Sequence, residues 1–253
     1  MKSSKFKKKY KAIISDIDGT IIPISAEAVP SKKTTQAIRR VIKKGVVFSL
    51  ATGRPYFMVE YLAKHLGLTS PLITENGATI VDSKTGKALW EALLSHQETE
   101  KILKITKSYP MTRVSCDIEN FENPSSIPRN AKVRKVSIHD LELSSVEDLV
   151  DKLEENFKGL AIVKAAAFKG REFFDVYISN GSATKQHAVL KLAEILGIKT
   201  NEMIGIGDHY NDFPLLMACG LKVAMEDSVE DLKAIADYVA PSVDDDGVAD
   251  VIE

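Results

Sequence analysis

The chain has 253 residues, long enough for one large domain or two modest ones, and 44% of them are hydrophobic, enough to build real cores. Lys and Arg number 34 against 35 Asp and Glu, so no whole-protein field favours a polyanion, and nucleic acid is not an expected partner. No apolar stretch approaches the roughly 20 residues of a membrane helix, and the amino terminus lacks the apolar middle of a signal peptide. A membrane is therefore not expected as a partner either, and the cytoplasm is the expected compartment.

Lys2, Lys5, Lys7, Lys8, Lys9 and Lys11 make the start of the chain basic. No aromatic or amphipathic pattern accompanies them, so they are read as a solvated terminus rather than an anionic contact. A first strand is expected over 10–15, an apolar run that stops at an acidic turn, followed by a helix over 34–44 that Gly45 ends. Residues 46–51 are β-branched and apolar without alternation, as in a strand buried on both faces of a parallel sheet. A helix over 56–66 follows. Leu72 and Ile73 begin a short strand, with Ile80 and Val81 pairing beyond an Asn76-Gly77 turn.

From about 82 to 179 the pattern changes. Helices are expected over 96–108 and 145–156 and a strand over 173–178, with Pro110, Pro124 and Pro128 interrupting the first half. Alternating signals then resume: a helix over 184–196, a buried strand over 203–206 and a helix over 214–218. This reads as an α/β protein with a doubly wound, Rossmann-like parallel-sheet core, 1–81 and 179–253, and an inserted α+β segment at 82–178. Cys116 and Cys219 stand far apart, in no metal or disulfide spacing, as expected of buried thiols.

The most informative segment is Asp16-Ile17-Asp18-Gly19-Thr20, where the first strand ends. Side chains two apart on an extended chain share one side, so both carboxylates face one site. Two close carboxylates repel, and one must take a proton or share a cation. That suits a bound metal, with one carboxylate ligating and attacking while the other handles protons. An acidic turn explains such a run as well. A calcium loop does not, because it needs a ligand at 20, Gly at 21 and Glu at 27, and only Glu27 fits.

Two other strand ends carry polar residues. Thr52, Gly53 and Arg54 offer a hydroxyl and backbone N–H groups to an anion. Gly207 and Asp208 are followed by His209, Tyr210, Asn211 and Asp212. Ligands of open α/β sheets collect outside the carboxyl ends of strands, so the three segments converge. The carboxylates outnumber the obvious cations. A divalent metal and one lysine could supply the balance; oxygen-only ligands favour magnesium over zinc, and Lys185, at a helix start, is the candidate lysine.

At these residues the sequence resembles the haloacid dehalogenase superfamily, and within it the Cof-like phosphatases with a large α/β cap inserted after the third core strand. Asp16-Ile17-Asp18-Gly19-Thr20 is similar to the first motif, Ala51-Thr52-Gly53-Arg54 to the second, Lys185 to the third, and Gly207-Asp208 with Asn211-Asp212 to the fourth. The resemblance implies that Asp16 is the nucleophile and that Asp18 protonates the leaving oxygen and then activates water. It implies further that Thr52, Gly53, Lys185 and Asn211 bind the phosphoryl group. Mg2+ would be held by Asp16, the Asp18 backbone carbonyl and Asp208, with Asp212 supporting the metal shell.

Glu75-Asn76-Gly77-Ala78 resembles a segment such enzymes carry beside the site, and reads equally well as a hairpin turn. Gln186 and the bulky His209-Tyr210 pair depart from common family patterns without removing a catalytic group.

The expected activity is Mg-dependent hydrolysis of small phosphomonoesters: sugar phosphates, phosphoglycolate-like acids or phosphorylated cofactors. The expected partner is thus a small phosphate ester, and the expected state a monomer or small homo-oligomer. A phosphomutase of related architecture and a silent phosphate-ligand binding protein are the alternatives; a signalling receiver domain fits neither the insertion nor the Asp-x-Asp order. Trp90, Phe168, Phe173, Phe174 and Tyr177 of the insertion could line a pocket or fill its core. His65, His96, His139 and His187 show no ligand spacing and read as packed or exposed side chains.

Overall fold

β1 (Ala12–Ser15) is buried along its whole length, as an apolar run flanked by strands on both sides requires. This is a computed structural model of the protein, describing residues 10–24, 28–109, 111–116, 120–121, 127–128, 130–167 and 169–253. Lys2 through Lys9 and Phe168 lie outside the described residues. Lys11 lies inside them and pairs with Glu202 at 2.7 Å.

After β1 the chain runs through α1 (Lys32–Lys43), which Ser31 caps by accepting from the Thr34 N–H, and β2 (Val47–Leu50). The helix expected over 56–66 opens as a single 3-10 turn, and the α-helix proper, α2, is Glu60–Leu66. Between them Val59 adopts a φ of −124°, outside the helical region, so the two turns do not merge.

β3 (Leu72–Thr74) and β4 (Thr79–Val81) form the expected hairpin. β5 (Ala88–Glu91) adds a third antiparallel strand to it. Although β5 lies past residue 82, it pairs with β4; the chain leaves this sheet at about 92–95.

The inserted segment holds α3 (His96–Thr106), β6 (Thr112–Cys116), β7 (Asn120–Phe121), β8 (Val133–Glu142), α4 (Leu143–Asn156), β9 (Leu160–Ala167) and β10 (Gly170–Asn180). Its strands make one antiparallel sheet in the order β7-β6-β8-β10-β9. The strand expected over 173–178 is the middle of β10. One face, with Val114, Val136, Ile138, Val176 and Ile178, packs on Ile102 of α3 and Val146, Leu149 and Leu153 of α4. The opposite face turns toward the core.

The chain returns through α5 (Lys185–Leu196), β11 (Met203–Gly207), α6 (Phe213–Ala218), β12 (Leu221–Met225), α7 (Glu230–Ile235), β13 (Tyr238–Ala240) and α8 (Gly247–Ile252). The main sheet is parallel, in the order β13-β12-β11-β1-β2. A parallel bridge between Ala51 and Ile73 joins β3 to its edge.

Alternate side chains of the parallel sheet feed two cores. Ile13, Phe48, Leu50, Ile204 and Val223 meet α1, α2 and α8; Ala12, Ile14, Met203 and Ala224 meet α5, α6 and α7. Helices thus cover both faces, the doubly wound arrangement expected. From β1 the chain winds to β2 on one side, while β11 lies on the other, so the loops after β1 and β11 separate and leave a crevice between them.

Candidate active site

The loops after β1, β2 and β11 end on one cavity of about 290 Å3, roofed by the inserted sheet. Asp16, Asp18, Thr52, Gly53, Asp208 and Asn211 line its floor; Arg113, Ser115, Lys135, Ser137, His139, Asp175 and Tyr177 line the roof. Lys185 and Asp212 lie behind Asp16 rather than on the cavity wall.

Asp16 continues the β1 ladder by donating its N–H to Ile206 O at 2.9 Å. Lys185, 1% exposed, donates from Nζ to Asp16 Oδ1 and to Asp212 Oδ1, both at 2.6 Å. The second oxygen of Asp212 accepts the backbone N–H groups of Asp208 (3.0 Å) and His209 (3.1 Å), which pins the loop after β11. Asp208 in turn accepts from Thr20 Oγ1 at 2.8 Å. Gly19 is forced by this contact: its φ is +78°, and a Cβ there would sit 2.3 Å from Asp208 Oδ2.

Asp16, Asp208 and Asp212 each offer an oxygen within 4.8 Å of the others. Three carboxylates share one ammonium in a buried place, and the titration of Asp16 and Asp208 reflects it. Burial, and then the charge of Asp212, push Asp16 up to about 7 against the pull of Lys185. Burial followed by Asp212 and Asp16 raises Asp208 well above the carboxylate range. Lys185 itself is held above its ordinary value, since the two aspartates outweigh the burial that opposes its charge. The all-oxygen donor set and the shortage of positive charge fit a hard divalent cation.

Asp18 faces elsewhere. Its carboxylate is gripped by the Arg54 guanidinium, with Nε donating to Oδ2 at 2.8 Å and Nη2 to Oδ1. Its side chain therefore takes no part in the three-carboxylate cluster. Thr52 is buried, its Oγ1 accepting from the Arg54 N–H at 3.1 Å and its N–H bound to Ile73 O at 3.0 Å.

The roof is built from alternating residues of β6, β8 and β10. Lys135 reaches down to Glu75 of the β3–β4 turn, 2.6 Å from its Oε2, and donates to Gly53 O at 2.9 Å. Ser115 Oγ also donates to Glu75, which is 1% exposed. Farther along, Asp175 Oδ2 lies 2.8 Å from His139 Nδ1 and accepts from Tyr177 OH at 3.2 Å, while its Oδ1 accepts from the Asp140 N–H at 3.2 Å. Asp140 has a φ of +58° where β8 carries one extra residue against β10. The His139 Nε2 lies 2.9 Å from Ser137 Oγ. Burial, then the charge of Asp175, raise the Tyr177 phenol above its ordinary value.

Sequence reasoning missed this roof apart from Tyr177. His139, read as packed or exposed, lines the cavity. The other described aromatics of that set do not: Trp90 packs on one core of the parallel sheet and Phe174 on that of the insertion, while Phe173 carries Lys169 over its ring at 4.0 Å. The missed signal is the alternation Lys135-Val136-Ser137-Ile138-His139, a half-buried strand with a polar face.

A family model described as haloacid dehalogenase-like hydrolase matches residues 13–124 and 114–252. A 5-amino-6-(5-phospho-D-ribitylamino)uracil phosphatase of Bacillus subtilis is 27% identical, over 96% of this chain and 97% of its own. A phosphoglycolate phosphatase of Methanopyrus kandleri is 29% identical, over 94% and 93%. Among solved structures, a haloacid dehalogenase-like hydrolase from B. subtilis superposes with a TM-score of 0.81 at 22% identity, covering 96% of this chain and 98% of that one. A subclass IIB sugar phosphatase superposes with a TM-score of 0.77 at 22% identity, covering 96% and 97%. The chain belongs to the haloacid dehalogenase-like hydrolases, in their Cof-like branch, and is an enzyme of the phosphoric monoester hydrolase class.

Proposed function

We propose that the protein is a magnesium-dependent phosphatase that works through an aspartyl-phosphate on Asp16. The observation that carries this reading is the buried cluster of Asp16, Asp208 and Asp212 around Lys185, opening on a cavity beneath the inserted sheet. Lys185 occupies Asp16 Oδ1, which leaves Oδ2 as the attacking atom. Asp16, Asp208 and Asp212, with the Asp18 backbone carbonyl that the family resemblance adds, would hold the metal. When bound, magnesium supplies the positive charge that the phosphoryl oxygens and these carboxylates need.

Asp16 Oδ2 forms a bond to phosphorus while the bond from phosphorus to the leaving oxygen breaks, and that oxygen takes a proton from Asp18. A water then attacks phosphorus, Asp18 receives its proton, the Asp16–phosphorus link breaks and inorganic phosphate departs. Thr52, the Gly53 backbone and Asn211 hold the phosphoryl oxygens, with Lys185 acting from below through Asp16. For Asp18 to handle protons, one of its oxygens must come off the Arg54 fork when substrate is in place.

The inserted segment, bounded at 82–178 on the sequence but leaving the β3-β4-β5 sheet only after Glu91, serves as the cap over the core. A cavity of about 290 Å3 suits a sugar phosphate, a phosphoglycolate-like acid or a phosphorylated cofactor, and leaves no room for a folded phosphoprotein. The relatives named for ribitylaminouracil-phosphate and phosphoglycolate hydrolysis fall in the same size range. We take the enzyme to work in the cytoplasm, as a monomer or small homo-oligomer; among the described residues no helix is long and apolar enough to cross a membrane.

The test is phosphate release from a panel of small phosphomonoesters, with and without magnesium, by wild type and Asp16→Asn. Release that needs the metal and vanishes in the variant is the expected result. Turnover that survives the substitution overturns the nucleophile, and isomerised ester without free phosphate means a mutase instead.

A further inference from the structure

The turn after β3 holds a side chain that neither the fold nor the proposed mechanism uses. Asn76 is 3% exposed and lines the cavity, yet neither its Nδ2 nor its Oδ1 has a hydrogen-bond partner among the described residues. The turn is tied to the loop below through its backbone: Asn76 N–H donates to Thr52 O at 2.9 Å, and Glu75 N–H to Arg54 O at 3.1 Å. The carboxamide lies against Gly53, where a Cβ would come within 3.0 Å of Oδ1 and 3.2 Å of Nδ2. So the amide is packed onto the loop that carries Thr52 and Gly53.

A turn alone does not explain this residue. Asn76 has a φ of +56°, which asparagine tolerates and glycine adopts at no steric cost. When asparagine serves a turn, its side chain commonly bonds the neighbouring backbone, and here it bonds none. Burying a carboxamide with both ends unpaired is costly, and such groups persist where a ligand completes them. Its neighbour shows the contrast: Glu75, also left-handed with a φ of +55°, is held by Lys135 and Ser115 of the roof.

We infer that Asn76 binds the phosphoryl group, its Nδ2 donating to a phosphoryl oxygen beside Thr52 and Gly53. The inference rests on the phosphatase reading and adds a residue to it. A monoprotonated phosphate, or a hydroxyl of the leaving group, supplies the donor that Oδ1 needs. The left-handed backbone and the contact with Gly53 fix the amide before substrate arrives, so no rotamer has to be frozen on binding.

The experiment compares wild type, Asn76→Gly and Asn76→Asp in the presence of magnesium, reading the inhibition constant of orthovanadate and the thermal midpoint. Glycine keeps the positive φ and deletes the amide; aspartate keeps the shape and sets a negative charge against the anion. Asn76→Gly is expected to weaken vanadate by about ten- to hundredfold, with an unchanged or higher midpoint. Asn76→Asp is expected to weaken it further. Wild-type vanadate affinity in Asn76→Gly, beside an active wild type, overturns the role of Asn76 and leaves the phosphatase reading standing. Loss of vanadate only together with several degrees of midpoint also overturns it, since the amide then serves packing. A wild type that neither binds vanadate nor releases phosphate sinks both.

Discussion

The floor and the roof of the cavity are both polar, but they are polar for different reasons. On the floor, the carboxylates sit on loops leaving parallel strands, and backbone contacts fix those loops: Asp212 grips two N–H groups of its own loop, Asp16 continues the β1 ladder, and Gly19 lets Asp208 approach. On the roof, the groups are held by other side chains across an antiparallel sheet, as Asp175 is by His139 and Tyr177. A floor built this way has one workable set of residues. A roof built this way can exchange side chains while its strands stay in register, so the proposed mechanism puts the chemistry below and would leave discrimination among esters to the groups above.

The sharpest way to break this contrast is to remove the ammonium at the centre of the floor. Lys185→Met leaves Asp16 and Asp212 buried without their counter-charge, and is expected to cost about 3–5 kcal/mol in chemical denaturation of the metal-free protein. A loss no larger than that of an exposed lysine would mean that the cluster is held by the backbone alone. Next in size is the link between the two regions. Glu75→Gln, Lys135→Met and the double variant form a cycle whose coupling is expected at about 0.5–3 kcal/mol, with the single changes weakening the docking of the roof. Additive effects would show that the 2.6 Å contact contributes nothing to holding cap and core together. The smallest effect belongs to the roof. His139→Gln is expected to shift the ranking of hydroxylated esters relative to p-nitrophenyl phosphate by about two- to tenfold, the worth of one hydrogen bond. A uniform loss across the panel would move His139 from discrimination to chemistry.

The same contrast governs what could be read in the residues alone. Asp16, Asp18, Thr52, Asp208 and Asp212 follow apolar runs that can only be buried parallel strands, and the carboxyl ends of such strands meet at the crevice of a doubly wound sheet. Their meeting was therefore legible from topology before any distance was known. Lys185 was not legible on that ground, being one lysine at a helix start among many; only its order within the family motifs marked it. The fork between Arg54 and Asp18 was not visible either, because it depends on where a long side chain turns after the second strand.

The roof escaped for another reason. Residues 135–139 alternate as a strand should, but alternation says only that one face is apolar. Whether Lys135, Ser137 and His139 look into solvent or onto a catalytic floor is decided by how the insertion folds back on the core. The strands β5, β6, β7, β9, β12 and β13 were unread as well: all but β9 have five residues or fewer, too few to show a period, and β9 is apolar without alternation apart from Lys164.

One feature of the connections bears on the history of the chain. It enters the insertion at about 92–95 and leaves it at about 180–183, and the two passages touch: Asn180 Nδ2 donates to Leu93 O at 3.1 Å, and Ala78, Ala92 and Ala183 pack together beneath them. The long excursion between them begins and ends at nearly one point, so the parallel sheet neither stretches nor shifts register to accommodate it. Loops with adjoining ends can lengthen at small entropic cost. A short turn spliced between these passages would close the gap and leave the nucleophile and the three-aspartate cluster on their strands. The floor is in this sense complete in itself, and the roof is a module set upon it through one narrow pair of passages.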